Sequence, residues 1–180
     1  MSRQPLLSNS ELCFITFTTT AWIDIFTRPM YKDIMVESIK YCQDNKGLLL
    51  YAWCLMSNHI HMIAQAEEGI VINDIIRDMK KFTSRSITGE IKCGIESRRD
   101  WLLNILHFRG QSHPKKIDYK LWQDSFDCYE LYSNSAIDQK LNYIHQNPVR
   151  AQIVEEDFHY LYSSARNYAG MKGLLDVIIL

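Results

Sequence analysis

Two apolar runs that lie close together in the chain constrain the fold most strongly. Residues 48–54 and 59–66 are rich in aliphatic and aromatic side chains, and a turn-sized break at 56–58 separates them. This pattern predicts a β-hairpin. The second strand begins with His59-Ile60-His61, and because side chains alternate along a strand, both imidazoles should share one face. Neutral imidazole commonly binds divalent metals, so the pair predicts two ligands of a metal site.

The hairpin is flanked by further elements, which we predict from apolar periodicity and from turn residues. They are a strand over 13–20, a helix over 28–46, a helix over 73–88, a helix over 100–108 with an exposed loop at 110–114, a strand over 119–132, a helix from 134 to about 146, and a last helix over 158–170. Asn134-Ser135 should cap the 134–146 helix, and Pro148 should stop it. This order predicts an α+β fold with a ferredoxin-like antiparallel sheet, in which the histidine strand can be central.

Length and composition favour one globular domain over residues 1–180, with a core at about 12–155 and a C-terminal helical extension over 156–180. The chain has 180 residues, of which 47% are hydrophobic, and this suits a single packed core. No apolar run approaches the roughly 20 residues that span a bilayer. Residues 1–11 lack the basic and apolar segments of a signal peptide, so a cytoplasmic location is expected. Five scattered cysteines without a C-x-x-C pair do not suggest a zinc site.

The formal net charge of the chain is -1, which by itself does not indicate binding to a polyanion. The charges are unevenly distributed, however, because basic residues outnumber acidic ones between positions 77 and 116. This region is therefore either a solvated set of helix faces or a local basic surface. If the protein binds nucleic acid, its affinity should depend on that surface and fall steeply with salt.

A second motif lies in the 134–146 helix and just beyond it. Tyr143 and Asn147 are four residues apart, so on a helix they project from one face. The Asn147 amide oxygen could complete the metal site, and a tyrosine hydroxyl beside a metal is a plausible nucleophile for phosphoryl transfer. A more ordinary interpretation is that Tyr143 is a packing residue and that Asn147-Pro148 only ends the helix.

Together these motifs resemble a known family. Asn58-His-Ile-His61 after an apolar strand, Leu121-Trp-Gln123, and Tyr143-Ile-His-Gln-Asn-Pro-Val149 are similar to the single-tyrosine transposases. The resemblance is closest to the REP-associated tyrosine transposases, which are relatives of the insertion-sequence-200-like enzymes in the HUH endonuclease superfamily. It covers roughly residues 12–155.

The resemblance implies a site and a reaction. His59 and His61 match the metal-ligand histidines, Tyr143 matches the nucleophile, and Asn147 matches the position of the third ligand. An amide oxygen and a phosphate fit Mg²⁺ or Mn²⁺ better than zinc. Family members cut single-stranded DNA, often beside a hairpin, and form a 5′-phosphotyrosine whose later reversal is strand transfer. The protein is therefore expected in the cytoplasm, associated with the nucleoid when bound to DNA, and as a homodimer.

DNA contacts are predicted at two places. Lys80, Lys81 and Arg85 would contact phosphates if DNA crosses the 73–88 helix. Trp122 and Gln123 could contact bases, although the competing interpretation is that they anchor the sheet to its helix.

Two other functions remain open at this point. A catalytically silent DNA-binding or regulatory protein could keep the same fold, but it would not need the intact His, Tyr and Asn set. A metal-dependent phosphodiester hydrolase could activate water at His59 and His61, but it would not need Tyr143.

Overall fold

The computed structural model describes residues 11–180, so the expectation about a leader at the N-terminus lies almost entirely outside the described residues. The strands are β1 (Cys13–Thr18), β2 (Leu48–Leu55), β3 (His59–Ala66) and β4 (Asp127–Glu130). The helices are α1 (Pro29–Lys46), α2 (Ile72–Cys93), α3 (Arg99–Gln111), α4 (Asn134–Arg150) and α5 (Ala165–Tyr168). Within the described residues, no helix is both long and apolar enough to cross a membrane.

The four strands form one antiparallel sheet in the order β2-β3-β1-β4. The first and fourth strands of the chain are neighbours, and the hairpin β2-β3 lies beside β1, as in a ferredoxin-like α+β fold. The predicted fold class is therefore confirmed, and β3, which carries the histidines, is a central strand.

The two faces of the sheet are occupied differently. On one face Phe17 of β1 is opposite Ile60 of β3, and its ring contacts Trp122, which donates a hydrogen bond from Nε1 to Thr83 of α2. We call this the helix face. On the other face Thr16 is opposite His61, and α4 packs there. We call this the site face.

Helix α1 confirms its predicted bounds closely. Pro29 occupies its first turn, where the missing N–H costs nothing. Gly47 ends the helix with φ 67°, and a Cβ there would approach Ile70 Cδ1 to 2.5 Å. Only glycine fits both the left-handed conformation and this close contact, so the short α1-β2 connection depends on it.

Helix α2 ends at Cys93, five residues later than predicted. Ile87 and Ile91 are fully buried on its inner side, so the apolar face continues past Gly89 and stabilises the extra turn.

The predicted strand over 119–132 is mostly wrong, because β4 spans only four residues. Trp122 turns into the core between β1 and α2, where it is 4% exposed. Thr19 forms an isolated bridge with Trp122 at the end of β1, so residues 119–126 cross that strand end rather than extend the sheet edge.

The predicted end of α4 at about residue 146 is also wrong. The helix continues through Pro148 to Arg150, and Ala151 N–H donates to the Asn147 carbonyl at 3.0 Å. Pro148 lies in the last turn, so its missing N–H deprives only one carbonyl of its helical donor, and that loss is tolerable there. The N-cap is Ser133, one residue before the predicted pair, and its hydroxyl accepts from Ala136 N–H at 3.2 Å.

The predicted helix over 158–170, within the supposed helical extension 156–180, is replaced by a 3-10 turn at Asp157–His159 and the single turn α5. The segment instead follows the outer edge of β2. Leu55 N–H donates to the Tyr162 carbonyl, Ser164 N–H to the Trp53 carbonyl, and Ile178 N–H to the Leu50 carbonyl, each at 2.9 Å. These bonds use polar groups of β2 that the sheet leaves unpaired, and this competes with helix formation.

Candidate metal and tyrosine site

The two histidines lie side by side on the site face, as the alternation of strand residues predicts. Their ring centroids are 4.7 Å apart. His61 is 5% exposed, whereas His59 near the hairpin turn is half-buried. The strand register therefore presents two imidazoles to one point at the N-terminal end of the central strand β3.

Each histidine is held through its Nδ1 atom. His61 Nδ1 is 2.7 Å from Thr16 Oγ1 on the neighbouring strand, and His59 Nδ1 is 2.7 Å from the amide oxygen of Asn58. His61 Nε2 is buried and has no hydrogen-bond partner among the described residues. Metal-ligating histidines commonly use one ring nitrogen for the metal and the other for such a hydrogen bond. The donor set therefore fits a cation on the Nε2 side.

The surroundings keep both imidazoles neutral. Burial, together with the smaller effect of the positive charges of Lys140 and of a protonated His59, lowers the pKa of His61 to about 3. Burial also lowers the pKa of His59. Neutral imidazole is the form that binds a metal, so the protein does not have to remove a proton from either ring at neutral pH.

Helix α4 brings Tyr143 to the same point. Its ring centroid is 5.1 Å from that of His61 and 6.0 Å from that of Phe14 on β1. The Tyr143 side chain is 36% exposed, so it is accessible to a large substrate. One polypeptide thus carries both the histidines and the tyrosine of this cluster.

Two cations flank Tyr143 that the sequence motifs did not single out. Lys140 Nζ is 4.4 Å from the ring centroid of Phe14 and 5.7 Å from that of Tyr143. Arg150 Cζ is also 5.7 Å from the Tyr143 ring centroid. Along α4 the successive spacings are three, four and three residues, and they put four residues on one face of the helix: Lys140, Tyr143, Asn147 and Arg150. The same spacing could have identified Lys140 and Arg150 from the sequence, as could the fact that helix α4 reaches Arg150.

Asn147 lies one turn beyond Tyr143, and its amide nitrogen is 3.5 Å from the Tyr143 carbonyl. Over residues 11–180, no three His, Cys, Asp or Glu side chains converge as a metal site. A third ligand from this part of the chain would therefore be of another type, such as an amide. The assignment of Asn147 as that ligand stays a prediction.

The predicted DNA contacts divide into two groups. Lys80 is half-buried, donates from Nζ to the Gln123 carbonyl at 2.7 Å, and has its pKa lowered to about 8 by burial. Trp122 is buried, and Gln123 donates from Nε2 to the Thr19 carbonyl at 3.2 Å. These internal contacts favour the anchoring interpretation for Trp122 and Gln123, and they engage Lys80 inside the protein. Lys81 and Arg85 are exposed, as phosphate contacts require.

Lys81 and Arg85 line a groove of about 1020 Å³ between α2 and residues 113–126. We call it the basic groove, because its lining includes Arg77, Lys80, Lys81, Arg85, Lys92, Lys116 and Lys120. Two acidic residues, Asp118 and Asp124, also line it. The motifs do not predict this groove, because one of its walls is an irregular segment whose sequence pattern predicts a strand and a loop.

Comparison with known proteins agrees with the motifs. Residues 13–101 match the family model described as "Transposase IS200 like". A solved REP-associated tyrosine transposase bound to a REP hairpin has the same fold, with a TM-score of 0.63, 16% sequence identity, and coverage of 100% of this chain and 94% of that chain. A putative transposase from Deinococcus radiodurans R1 aligns with a TM-score of 0.45 at 18% identity, over 80% of this chain and 95% of that one.

One curated protein is similar in sequence. Protein FAM83A of Xenopus laevis is 24% identical over 132 residues, which are 72% of this chain and 27% of that protein. The chain therefore spans about a quarter of the length of that relative.

Proposed function

We propose that this chain, whose residues 13–101 match the IS200-like transposase family model, is a metal-dependent single-strand DNA endonuclease and strand transferase that uses Tyr143. One observation carries the proposal: the Tyr143 ring is 5.1 Å from His61, while His59 and His61 are both held through Nδ1. The proposed site lies within one chain, so it requires no partner subunit, and the homodimer stays a prediction.

In the proposed reaction the Tyr143 hydroxyl oxygen attacks a backbone phosphorus and forms the new P–O bond. The bond from phosphorus to the 3′ oxygen breaks, the phenol loses its proton, and the departing 3′ oxygen gains one. The products are a 5′-phosphotyrosine and a free 3′-hydroxyl. Because the phosphodiester energy is kept in the new bond, a second 3′-hydroxyl can reverse the step and join a new strand.

The residues around Tyr143 suit this chemistry. His59, His61 and Asn147 would hold Mg²⁺ or Mn²⁺, which when bound supplies Lewis-acid stabilisation of the non-bridging phosphate oxygens. Lys140 and Arg150 each lie 5.7 Å from the Tyr143 ring centroid and would attract the phosphates near the scissile bond. Thr16 and Asn58 orient the imidazoles, and the partial exposure of Tyr143 lets the strand approach.

The substrate that we propose is single-stranded DNA beside a hairpin. The solved transposase with this fold is bound to a REP hairpin, and the basic groove gives this chain a cationic surface. Such a substrate would place the protein in the cytoplasm, at the nucleoid.

The experiment mixes a labelled hairpin-bearing single strand with the protein and Mg²⁺ or Mn²⁺. We expect a covalent protein-DNA adduct that a chelator prevents and that Tyr143→Phe reduces at least about 1000-fold, as loss of a nucleophile does elsewhere. Tyr41→Phe is the matched control, because Tyr41 is an exposed tyrosine on α1. Cleavage that survives Tyr143→Phe would support a water-activating hydrolase, and binding without any cleavage would support the silent regulatory protein.

A further inference from the structure

A buried polar contact lies on the side of α4 that faces away from Tyr143. Successive residues of an α-helix are about 100° apart, so His145, two residues after Tyr143, projects from nearly the opposite side of the helix. His145 is 6% exposed and lies among the residues that α4 buries, with Ile144 and Pro148. A polar ring buried in this way costs free energy unless it has a hydrogen-bond partner. The proposed reaction does not use this imidazole, so its contacts need another explanation.

The partner of His145 is Ser164, in the C-terminal segment along β2. His145 Nε2 and Ser164 Oγ are 2.9 Å apart, and Ser164 has no exposed surface. Ser164 is itself fixed to β2, because Trp53 N–H donates to Ser164 Oγ and Ser164 N–H donates to the Trp53 carbonyl, both at 2.9 Å. The imidazole is thus bonded, through one serine, to the backbone of a sheet strand.

This strand is the neighbour of the strand that carries the histidine pair. In the register of β2 and β3, Cys54, which follows Trp53, is opposite His61. The bond of His145 to Ser164 therefore ties α4 to the sheet beside His61, from the side of the helix that is remote from the tyrosine. Because the sheet also holds His61, the bond fixes the orientation of the helix relative to that histidine.

The bond restricts rotation of α4 about its own axis. Apolar contacts such as those of Ile144 are non-directional and tolerate small rotations, whereas a hydrogen bond weakens when its distance or angle changes. A rotated helix would leave a buried imidazole and a buried hydroxyl badly paired, and this costs free energy. A side-chain tip lies roughly 6 Å from the helix axis, so a rotation of about 10° moves it by about 1 Å. Misplacement of a reacting group by about 1 Å can slow a reaction about 100-fold.

We infer that His145 is a positioning residue whose hydrogen bond to Ser164 sets the rotation of α4. This rotation places the Tyr143 hydroxyl for attack beside the histidine pair. The inference rests on the proposed function, because it concerns how the attacking group of that reaction is held. His145 acts through the helix, and it contacts neither the DNA nor the cation.

The first test measures the rate constant of adduct formation in a single turnover, at saturating hairpin-bearing strand and Mn²⁺. His145→Leu keeps a similar volume and removes the bond, so the rate constant should fall about 10- to 100-fold. The affinity for the DNA and the Mn²⁺ concentration for half-maximal rate should stay within about twofold of wild type, because His145 touches neither ligand. His145→Gln, whose amide can reach Ser164, should restore the rate constant to within about threefold of wild type.

Two further variants separate the bond from general packing, and all variants are compared at a temperature at which circular dichroism shows them folded. Ser164→Ala should also slow the reaction. The double variant with His145→Leu should be no more than about twofold slower than His145→Leu alone, because the two changes remove the same interaction. Gln146→Ala is the matched control, since Gln146 Nε2 on the next position of α4 donates to Asp157 Oδ2 at 3.1 Å. That bond lies where water can replace it, so its loss should change the rate constant by less than about twofold.

Fluorine NMR of protein that contains 3-fluorotyrosine tests the position of the tyrosine ring without any reaction. The Tyr143 resonance is the one that Tyr143→Phe removes. In metal-free protein His145→Leu should shift or broaden this resonance, because the ring moves relative to His61. His145→Gln and Gln146→Ala should leave it in place.

Where the wild type forms the adduct, an unchanged rate constant in His145→Leu would overturn the inference, as would an unchanged Tyr143 resonance. The inference also fails if His145→Gln does not restore the rate constant, or if a loss of DNA affinity accounts for the whole effect. The wild type could instead form no adduct while the Tyr143 resonance responds to His145→Leu and recovers in His145→Gln. The proposed chemistry would then fail, and the positioning of Tyr143 by His145 would stand.

Discussion

The two faces of the sheet use alternate residues of the same strands for different purposes. On the helix face Ile15, Phe17, Ile60 and Met62 are at most 1% exposed. On the site face the same two strands carry Thr16 and His61, whose polar atoms bond to each other, and Tyr143 stays accessible. In β1 and β3, neighbouring residues therefore alternate between positions that form the core and positions that form the candidate site. Substitutions on one face should change stability, and those on the other should change activity.

The largest effect should come from the helix face. Trp122→Ala removes a buried indole and its hydrogen bond to Thr83, so the free energy of unfolding should fall by about 3–5 kcal/mol. Denaturant unfolding measures this loss. Trp101→Ala is the matched control, because Trp101 is 51% exposed on α3 and should change the free energy of unfolding by less than about 0.5 kcal/mol.

If Trp122 stacked on bases rather than packing in the core, Trp122→Ala would leave unfolding unchanged and weaken DNA binding. That result would remove the distinction between the two faces at this position.

A smaller effect should come from the site face, at the residue that orients His61. Thr16→Val removes the hydroxyl that lies 2.7 Å from His61 Nδ1. Loss of the hydrogen bond that orients a metal-binding histidine typically lowers metal affinity or activity by about 10- to 100-fold. Titration of adduct formation with Mn²⁺ measures the shift in the metal requirement.

Thr16→Ser should restore the normal metal requirement, because serine keeps the hydroxyl. Thr18→Val, two residues along the same strand and opposite His59, is the control. Thr16→Val could instead lower the free energy of unfolding without changing the metal titration. Thr16 would then serve stability rather than activity, and the difference between the two faces would not hold at this position.

Per pH unit, the smallest effect on the free energy of unfolding comes from the titration of His61. Burial holds the pKa of His61 at about 3 in the folded chain, whereas an exposed histidine has a pKa near 6.5. Between these values the unfolded chain binds more protons, so the free energy of unfolding should fall as the pH falls from about 6.5 towards 3. The His61 contribution is at most about 1.4 kcal/mol per pH unit.

Unfolding measured in chelator at several pH values should show a shallower decrease for His61→Gln than for the wild type. Equal slopes would mean that His61 is not kept neutral in the folded protein. The site face would then be more hydrated than the low exposure of His61 indicates.

The hairpin and its histidines could be predicted from the sequence because their signals are local. Alternation places His59 and His61 on one face whatever the rest of the chain does, and Gly47 ends α1 through its own backbone conformation. The proximity of Tyr143 to His61 came from resemblance rather than from periodicity, since a helix pattern does not say against which strand the helix packs.

The region 113–126 could not be predicted in the same way. Its conformation depends on Trp122 entering a space between β1 and α2, which is a tertiary contact without a local pattern. The same limit applies to the end of α4, where packing of the last turn outweighs the local preference of Pro148. The basic groove was missed because its walls come from segments far apart in sequence.

The C-terminal segment along the edge of β2 also affects how molecules of this protein associate with one another. An uncovered edge strand offers a row of hydrogen-bonding groups to which another chain can add, and this is a common route to aggregation. Here residues 160–178 occupy groups of β2 at Leu50, Trp53 and Leu55, while the opposite edge, β4, has only four residues. The sheet is thereby protected from growing by addition of further copies, and it can keep an accessible site face without becoming a template for fibres.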